Sequence, residues 1–440
     1  MRVWAARPSS RPGTTRHHTN GRAGVVADKS SDRGTRRNIL TLITGTMASQ
    51  LVTLAIVPIL SRLYGPAPFG EYALFVSITT LVAIVGTLRY EMAVVLPRSN
   101  REAAAIARLG VRLLAIVALL TTGTCGLLVL LPIGLPPSWL WLALLVGPGV
   151  FLLGYTSYMT QWLIRSAKYK IISRNRVTQS AVAALAQVAL GFLIPNTGAG
   201  LAIGLLIGQL AGAIFLALTG RKETRLFVDV DGRRWRYLLG KHWRLPALLM
   251  PHTLIDSFRL NGVNLIIGYY SVAALGQYSQ AWRLVQLPAG LVGSAISQVY
   301  FPRLATVARS ELFETVRGSI VKSFALGMIP FALIFWLSPT LFPFVLGPEW
   351  VEAGQFAQAL VPALYANLVA SPISTIFIVL RKEHVGLFYA VVVTALSLGV
   401  LFTFSNDLLL AVWIMSACQA VSLVAYIALA LWLARPSLIR

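Results

Sequence analysis

Two arginines, Arg259 and Arg283, stand inside long apolar stretches of the chain. Asp256 precedes Arg259 by three positions and His252 precedes it by seven, so helical spacing puts all three on one face. Asn261 and Asn264 add polarity just beyond. An Arg at the centre of a bilayer costs at least about 2.5–3.5 kcal/mol on insertion scales, so such residues face a polar interior rather than lipid. The chemistry this offers is anion binding, because a guanidinium donates two parallel hydrogen bonds to phosphate oxygens. The competing reading is an i,i+3 ion pair in which Asp256 neutralises Arg259. Asp256 and Glu91 are the carboxylates whose protonation or ion occupancy can change during a working cycle, and both are read as coupling candidates. Arg89 lies two residues from Glu91 and is expected to pair with it or with a neighbouring helix.

These residues need a frame of membrane-spanning helices. Apolar residues make up 56% of the 440 positions and charged residues only 12%, with a mean hydropathy of +0.72. Soluble domains carry about 25% charge. A helix needs roughly 20 mostly apolar residues to cross the hydrocarbon. Twelve such stretches are read, roughly at 39–63, 71–96, 109–133, 138–163, 175–195, 199–219, 245–269, 273–300, 319–338, 355–380, 385–404 and 408–434. Counting about 1.5 Å per residue puts Arg259 about 20 Å and Arg283 about 15 Å from the nearest start of their spans, both near the midplane. Little remains outside the spans, so no soluble catalytic domain fits.

The net charge is +23. Of the 38 Lys and Arg, 34 fall in the termini and in alternate connections of the twelve-span order. The intervening connections hold none, and their charge is acidic, at Glu349, Glu352 and Asp407. Such bias marks the cytoplasmic side. Both termini are therefore expected in the cytoplasm, and the basic charge calls for no nucleic acid. Cys125 and Cys418 each fall alone in a span, which excludes a disulfide framework.

The chain also repeats itself. Tyr64, Gly70 and Tyr72 correspond to Tyr270, Gly276 and Tyr278 at an offset of 206, and a Pro-Arg pair follows at 97–98 and again at 302–303. The offset lays span 1 on span 7 and span 2 on span 8. Six spans is an even number, so the copies share orientation. The expected fold is all-α: twelve transmembrane helices in two parallel-repeat six-helix bundles around a central cavity. The expected divisions are a disordered basic arm at 1–37, a first lobe at 38–219, a basic linker at 220–244, a second lobe at 245–434 and a tail at 435–440. Transporters so built hold substrate at the lobe interface. The offset maps Asp256 onto Gln50, Arg259 onto Thr53 and Arg283 onto Ser77, so one wall of the cavity is polar, through Gln50, and the other cationic.

The stretch Pro58-Ile-Leu-Ser-Arg-Leu-Tyr-Gly65, then Phe69-Gly-Glu-Tyr-Ala73, then Leu88-Arg-Tyr-Glu-Met-Ala-Val-Val-Leu-Pro-Arg98 resembles the polysaccharide-transporter (Wzx-type) oligosaccharide flippases of the multidrug/oligosaccharidyl-lipid/polysaccharide export superfamily. Gly276-Gln-Tyr-Ser279 and Gln298-Val-Tyr-Phe-Pro-Arg303 fit the second half of the same family, and the similarity covers roughly residues 38–434. The resemblance implies a V-shaped pair of bundles in the bacterial cytoplasmic membrane. It implies translocation of undecaprenyl-pyrophosphate-linked oligosaccharides for O-antigen, capsule or exopolysaccharide. Its partners are then the lipid-linked substrate, membrane lipids, and the glycosyltransferases and polymerase of the same pathway. It also implies that Arg259 and Arg283 hold the anionic head group.

Two other readings compete. A cation-coupled drug exporter of the same superfamily needs an acidic cavity, whereas the midplane here holds two Arg and one Asp. A membrane polysaccharide polymerase or glycosyltransferase usually carries a large outer loop or an acidic motif, and the longest connection on the cation-poor side is Pro339–Gly354. No nucleotide fingerprint or metal-ligand cluster is present in the sequence, so no cofactor is expected.

Overall fold

In the computed structural model, residues 29–131, 139–219, 237, 240–241, 243–306, 311–371 and 383–433 are described. The linker over 220–244 falls largely outside them, as do the tail and residues 1–28. The described residues form helices and no strands. In chain order the helices are α1 (Lys29–Leu63), α2 (Pro66–Thr87), α3 (Tyr90–Ala93), α4 (Asn100–Leu130), α5 (Leu140–Arg165), α6 (Tyr169–Leu193) and α7 (Gly198–Thr219). There follow α8 (Arg244–Tyr270), α9 (Val272–Thr306), α10 (Leu312–Leu346), α11 (Val351–Ala370), α12 (Glu383–Thr403) and α13 (Leu408–Leu433). Among the described residues, eight helices are long and apolar enough to cross a membrane: α1, α2, α4–α7, α10 and α13. Helices α8, α9, α11 and α12 occupy the places expected for spans 7, 8, 10 and 11 without meeting that measure, so the count of twelve rests on the sequence pattern.

Helix ends follow local chemistry. Helix α2 starts from extended Gly65 with Pro66 at its first position, where a missing N–H costs nothing. Ser271 caps α9 by accepting the N–H of Ala274 at 3.2 Å, and Asp407 caps α13 through Leu410 N–H at 3.0 Å. Glu71 accepts the first N–H of α7, from Gly198, at 2.9 Å. Its counterpart at the offset of 206, Gln277, accepts Ala353 N–H at the start of α11 at 3.0 Å.

Three boundaries correct the sequence reading. Helix α1 begins at Lys29, so residues 29–37, expected in a disordered arm, are helical. Once an apolar helix is nucleated, each added residue contributes a hydrogen bond, and the segment 29–57 contains no proline to stop it. The single span expected at 71–96 is broken: Leu88 (φ 48°) and Arg89 (φ 59°) both adopt the left-handed region, ending α2 and starting the one-turn α3. That conformation is uncommon outside glycine. Finally, the connection expected at Pro339–Gly354 is largely helical, because α10 runs through Pro339 and Pro343 to Leu346 and a 3₁₀ turn covers Pro348–Trp350.

The packing repeats between halves. In the first half α1 packs on α6, α6 on α7, α4 on α5, α2 on α4 and α5, and α5 on α7. In the second half the equivalent pairs recur: α8 on α12, α12 on α13, α10 on α11, α9 on α10 and α11, and α11 on α13. The halves meet where α2 packs on α8 and α9, with smaller contacts of α1 with α10 and α3 with α8.

At the cation-poor end the halves touch backbone to backbone. A Cβ at Gly70 would overlap the carbonyl oxygen of Val272, and a Cβ at Gly276 would overlap that of Pro66. Only glycine allows this approach. The paired glycines also show that α1 and α8 run toward the same end. Beside them Ser61 Oγ donates to Leu346 O at 2.9 Å, and Trp350 Nε1 donates to Ser61 O at 3.1 Å. Trp350, 1% exposed, stacks edge-on against Phe69 with ring centroids 5.3 Å apart. The halves close on each other here; two clefts, described below, lie toward the basic end, and a third cavity of about 610 Å³ lies within the second half at this end, lined by Tyr270, Glu352 and Asp407.

Candidate functional site

The first cleft, about 740 Å³, separates α1 of one half from α9 of the other. Its α1 wall presents Leu42, Met47, Leu51 and Leu54, with Thr46 and Gln50 between them. Its α9 wall presents Trp282, Arg283, Gln286 and Leu287. The arrangement follows from helical spacing: Met47, Leu51 and Leu54 recur at three and four residues, as do Arg283 and Gln286/Leu287. Arg283 stands eleven residues, about 16 Å, into α9. Gln50, expected on the polar wall, does face the same cleft as Arg283. Arg176 of α6 donates a hydrogen bond to Thr46 on the cleft wall.

Arg283 also reaches a small cavity of about 160 Å³ in the first half, lined by Thr53, Tyr72, Gln179, Ser180, Gln187 and Gln209. Among the described residues no Asp or Glu lines either cavity. The sequence reading missed these carboxamides. Their signal was present: three glutamines recur in α6 and α7 facing Tyr72, in spans where polar side chains are costly.

The second cleft, about 620 Å³, is built from α8, α11, α12 and α13 with Trp282 of α9. It holds His252, Asp256 and Arg259, as their shared helix face required. Asn367, Ser371, Tyr389, Gln419 and Tyr426 add to its polar lining. The geometry departs from two readings of the sequence: the i,i+3 pair that competed with anion binding, and a joint site of both arginines. Asp256 is 44% exposed and its Oδ2 lies 3.5 Å from His252 Nδ1, one turn back, and among the described residues no ion pair joins it to Arg259. A carboxylate meets side chains both three and four positions away, and here the rotamers select the latter. Arg259 and Arg283 also do not converge: none of the described cavities is lined by both. Trp282, next to Arg283 in sequence, lines both of these clefts.

Asn261 and Asn264 line a minor cavity of about 220 Å³ with Arg259, Tyr278, Trp282 and Gln419. Both amides already have partners. Asn261 Nδ2 donates within its own helix to Ser257 O at 3.0 Å and to Ser257 Oγ at 3.2 Å. Asn264 Nδ2 donates across the halves to Ser77 Oγ at 2.9 Å, and Ser77 is fully buried. Ser77, the repeat counterpart of Arg283, thus serves the seam between halves.

Arg89 and Glu91, at the basic end, line none of these cavities. The expected pair forms: Arg89 Nη1 donates to Glu91 Oε1 at 3.2 Å, and Glu91 is 3% exposed. Nearby Arg165 donates to Val95 O, Arg98 O and Asn100 Oδ1 and holds the turn between α3 and α4. Lys241, just before α8, donates to Glu102 of α4 at 2.6 Å and joins the halves at this end. That hydrogen bond raises the Lys241 ammonium above the usual lysine range.

The family model described as "Polysaccharide biosynthesis protein" matches residues 59–355. Among solved structures, a lipid II flippase MurJ in an inward closed conformation is similar with a TM-score of 0.67 at 12% identity, covering 89% of this chain and 87% of that one. An outward-facing multidrug resistance MATE family transporter of the MOP superfamily is similar with a TM-score of 0.56 at 15% identity, covering 92% of this chain and 96% of that one. No curated protein sequence matches. At these identities the structures establish a shared fold, that of polytopic membrane transporters.

Proposed function

The chain belongs to the polysaccharide biosynthesis protein family, and on that premise we propose that it is a flippase for an anionic, lipid-linked oligosaccharide, working by alternating access of its two halves. The observation that carries this reading is the chemistry of the cleft between α1 and α9. One wall is a stripe of Leu and Met suited to a hydrocarbon chain, and the other presents Arg283 and Gln286. An amphiphile with a phosphate at the junction of chain and sugar matches both walls at once. An unpaired anion crossing the midplane is costly, and Arg283 supplies a counter-charge with no carboxylate among the described lining residues to compete for it. A cationic drug would meet the wrong sign there, which weighs against a multidrug exporter despite the shared fold.

The rest of the machinery is assigned on the same footing. Both termini and the basic connections face the cytoplasm, so the end where the halves close at Gly70, Gly276 and Trp350 faces outward. Asp256 with its His252 partner is the coupling site, since a carboxylate–imidazole pair can change charge during a cycle. Glu91, held by Arg89 at the helix break, is the second candidate.

The test is a set of variants at position 283, scored for surface polysaccharide alongside the amount of protein in the membrane. Arg283→Ala should abolish export at a normal membrane level, and Arg283→Lys should retain part of it, because Lys provides the charge without the fork. Full export by Arg283→Met would show that bulk alone suffices there, and the anion site would fall.

A further inference from the structure

We propose that the second cleft is a saccharide subsite, separate from the anion site at Arg283, taking neutral, hydroxyl-rich sugar rings of the same substrate. This rests on the lipid-linked saccharide reading above. Four observations converge on it.

The first is charge. The cleft is rich in polar groups, and among its described lining residues the one guanidinium, Arg259, is accompanied by one carboxylate, Asp256, whose Oδ2 lies 3.5 Å from His252 Nδ1. No group of three or more His, Cys, Asp and Glu that could hold a metal ion occurs among the described residues. An anion is better served at Arg283, where no carboxylate among the described lining residues offsets the charge. The second is hydrogen-bonding type. Asn367 offers a donor and an acceptor on one planar group, Gln419 offers its carbonyl oxygen while its Nε2 donates to Ser397 Oγ at 2.8 Å, Tyr389 offers a hydroxyl, and Arg259 offers a donor fork. A sugar hydroxyl is itself donor and acceptor, so vicinal hydroxyls match the Asn367 carboxamide and the guanidinium edge to edge.

The third is the aromatic surface. The Tyr389 and Tyr426 rings lie 4.6 Å apart, and Trp282 forms another wall. Pyranose rings present patches of C–H that settle on aromatic faces, whereas an aliphatic chain gains nothing from the surrounding polar groups. The fourth is position and size. Trp282 belongs to both clefts and neighbours Arg283, so the group bonded next to a phosphate at Arg283 is delivered to the second cleft. A cleft of about 620 Å³ falls in the usual range of roughly 300–1,000 Å³ for small-molecule sites.

The experiment compares two probes on purified, full-length protein in lipid nanodiscs. One is farnesyl pyrophosphate. The other is farnesyl pyrophosphate carrying one glucose, galactose or N-acetylglucosamine, each tried separately. Wild-type protein should bind at least one glycosylated probe about tenfold more tightly than the bare one, the size of one or two net hydrogen bonds with ring stacking. Tyr426→Ala with Gln419→Ala should remove that gain and leave bare-probe affinity in place. Tyr426→Phe and Tyr389→Phe, which keep the ring faces, should retain most of the gain. Arg283→Ala should weaken both probes equally. If no sugar improves on the bare probe, or if the Tyr426→Ala/Gln419→Ala protein loses both probes in parallel, the saccharide subsite is wrong while the anion site survives. If neither probe binds wild type, the flippase reading fails first and takes the subsite with it.

Discussion

Arg283 and Arg259 sit on adjacent helices at comparable depth, yet their surroundings differ in kind. Arg283 opens on a cleft with one apolar wall and reaches across to the glutamines of the first half, with no carboxylate among the described lining residues. Arg259 shares its cleft with Asp256, His252, two tyrosines and two carboxamides, all but Trp282 supplied by α8, α11, α12 and α13. Depth in a membrane therefore does not define a site. What each cation can do is set by whether an acid shares its cavity and by which half supplies the walls. An uncompensated guanidinium between halves is suited to seize an anion and to sense their separation. A compensated one within a half is suited to orient neutral groups.

The largest expected effect tests this contrast directly. Loss of Arg283 removes two charge-assisted hydrogen bonds, about 3 kcal/mol or more, and should lower transport about 100-fold or further. Arg259→Ala should cost only about tenfold, because its cleft retains other donors. Equal losses in a vesicle-based translocation assay would erase the distinction between the clefts.

Asp256→Asn comes next. It should slow transport severalfold and flatten its response to imposed proton or sodium gradients, with the affinity for bare farnesyl pyrophosphate little changed. A variant whose transport keeps the wild-type response to both gradients would take Asp256 out of coupling and leave Glu91 as the candidate.

A smaller effect is expected at the seam between halves. Asn264→Ala deletes the bond to buried Ser77 and should lower stability in detergent by about 0.5–1.5 kcal/mol. Ser77→Ala should do the same, and the double variant should be less than additive, because both changes remove one bond. Strict additivity in denaturation midpoints would show that the two side chains act independently.

The smallest change belongs to Lys241. Its partner Glu102 raises the ammonium's pKa in the folded state. The contribution is therefore complete below the unfolded lysine value and lost as pH rises through the higher folded one. Lys241→Ala should shift the melting temperature slightly at neutral pH and low salt, and the difference should vanish at high salt or strongly alkaline pH. A shift that persists unchanged in high salt would mean that packing, not charge, is what was lost.

Local pattern along the chain determined a good deal by itself. The apolar runs and the alternation of basic and cation-free connections located the helices. The offset of 206 paired Gly70 with Gly276 before any contact between them was visible, and the family was legible in the motifs from Pro58 to Arg98. Those features depend on hydropathy and spacing within one or two helices, which a sequence displays directly. Only the tertiary structure decided that Asp256 turns to His252 rather than Arg259, and that the two arginines line different clefts that share Trp282. The meeting of Tyr389 and Tyr426 across α12 and α13, and the break of α2 at Leu88–Arg89, were equally hidden. The physical reason is rotational. Which side chains share a cavity depends on how each helix is turned about its own axis and bent at its prolines, and that is set by packing against neighbours distant in sequence.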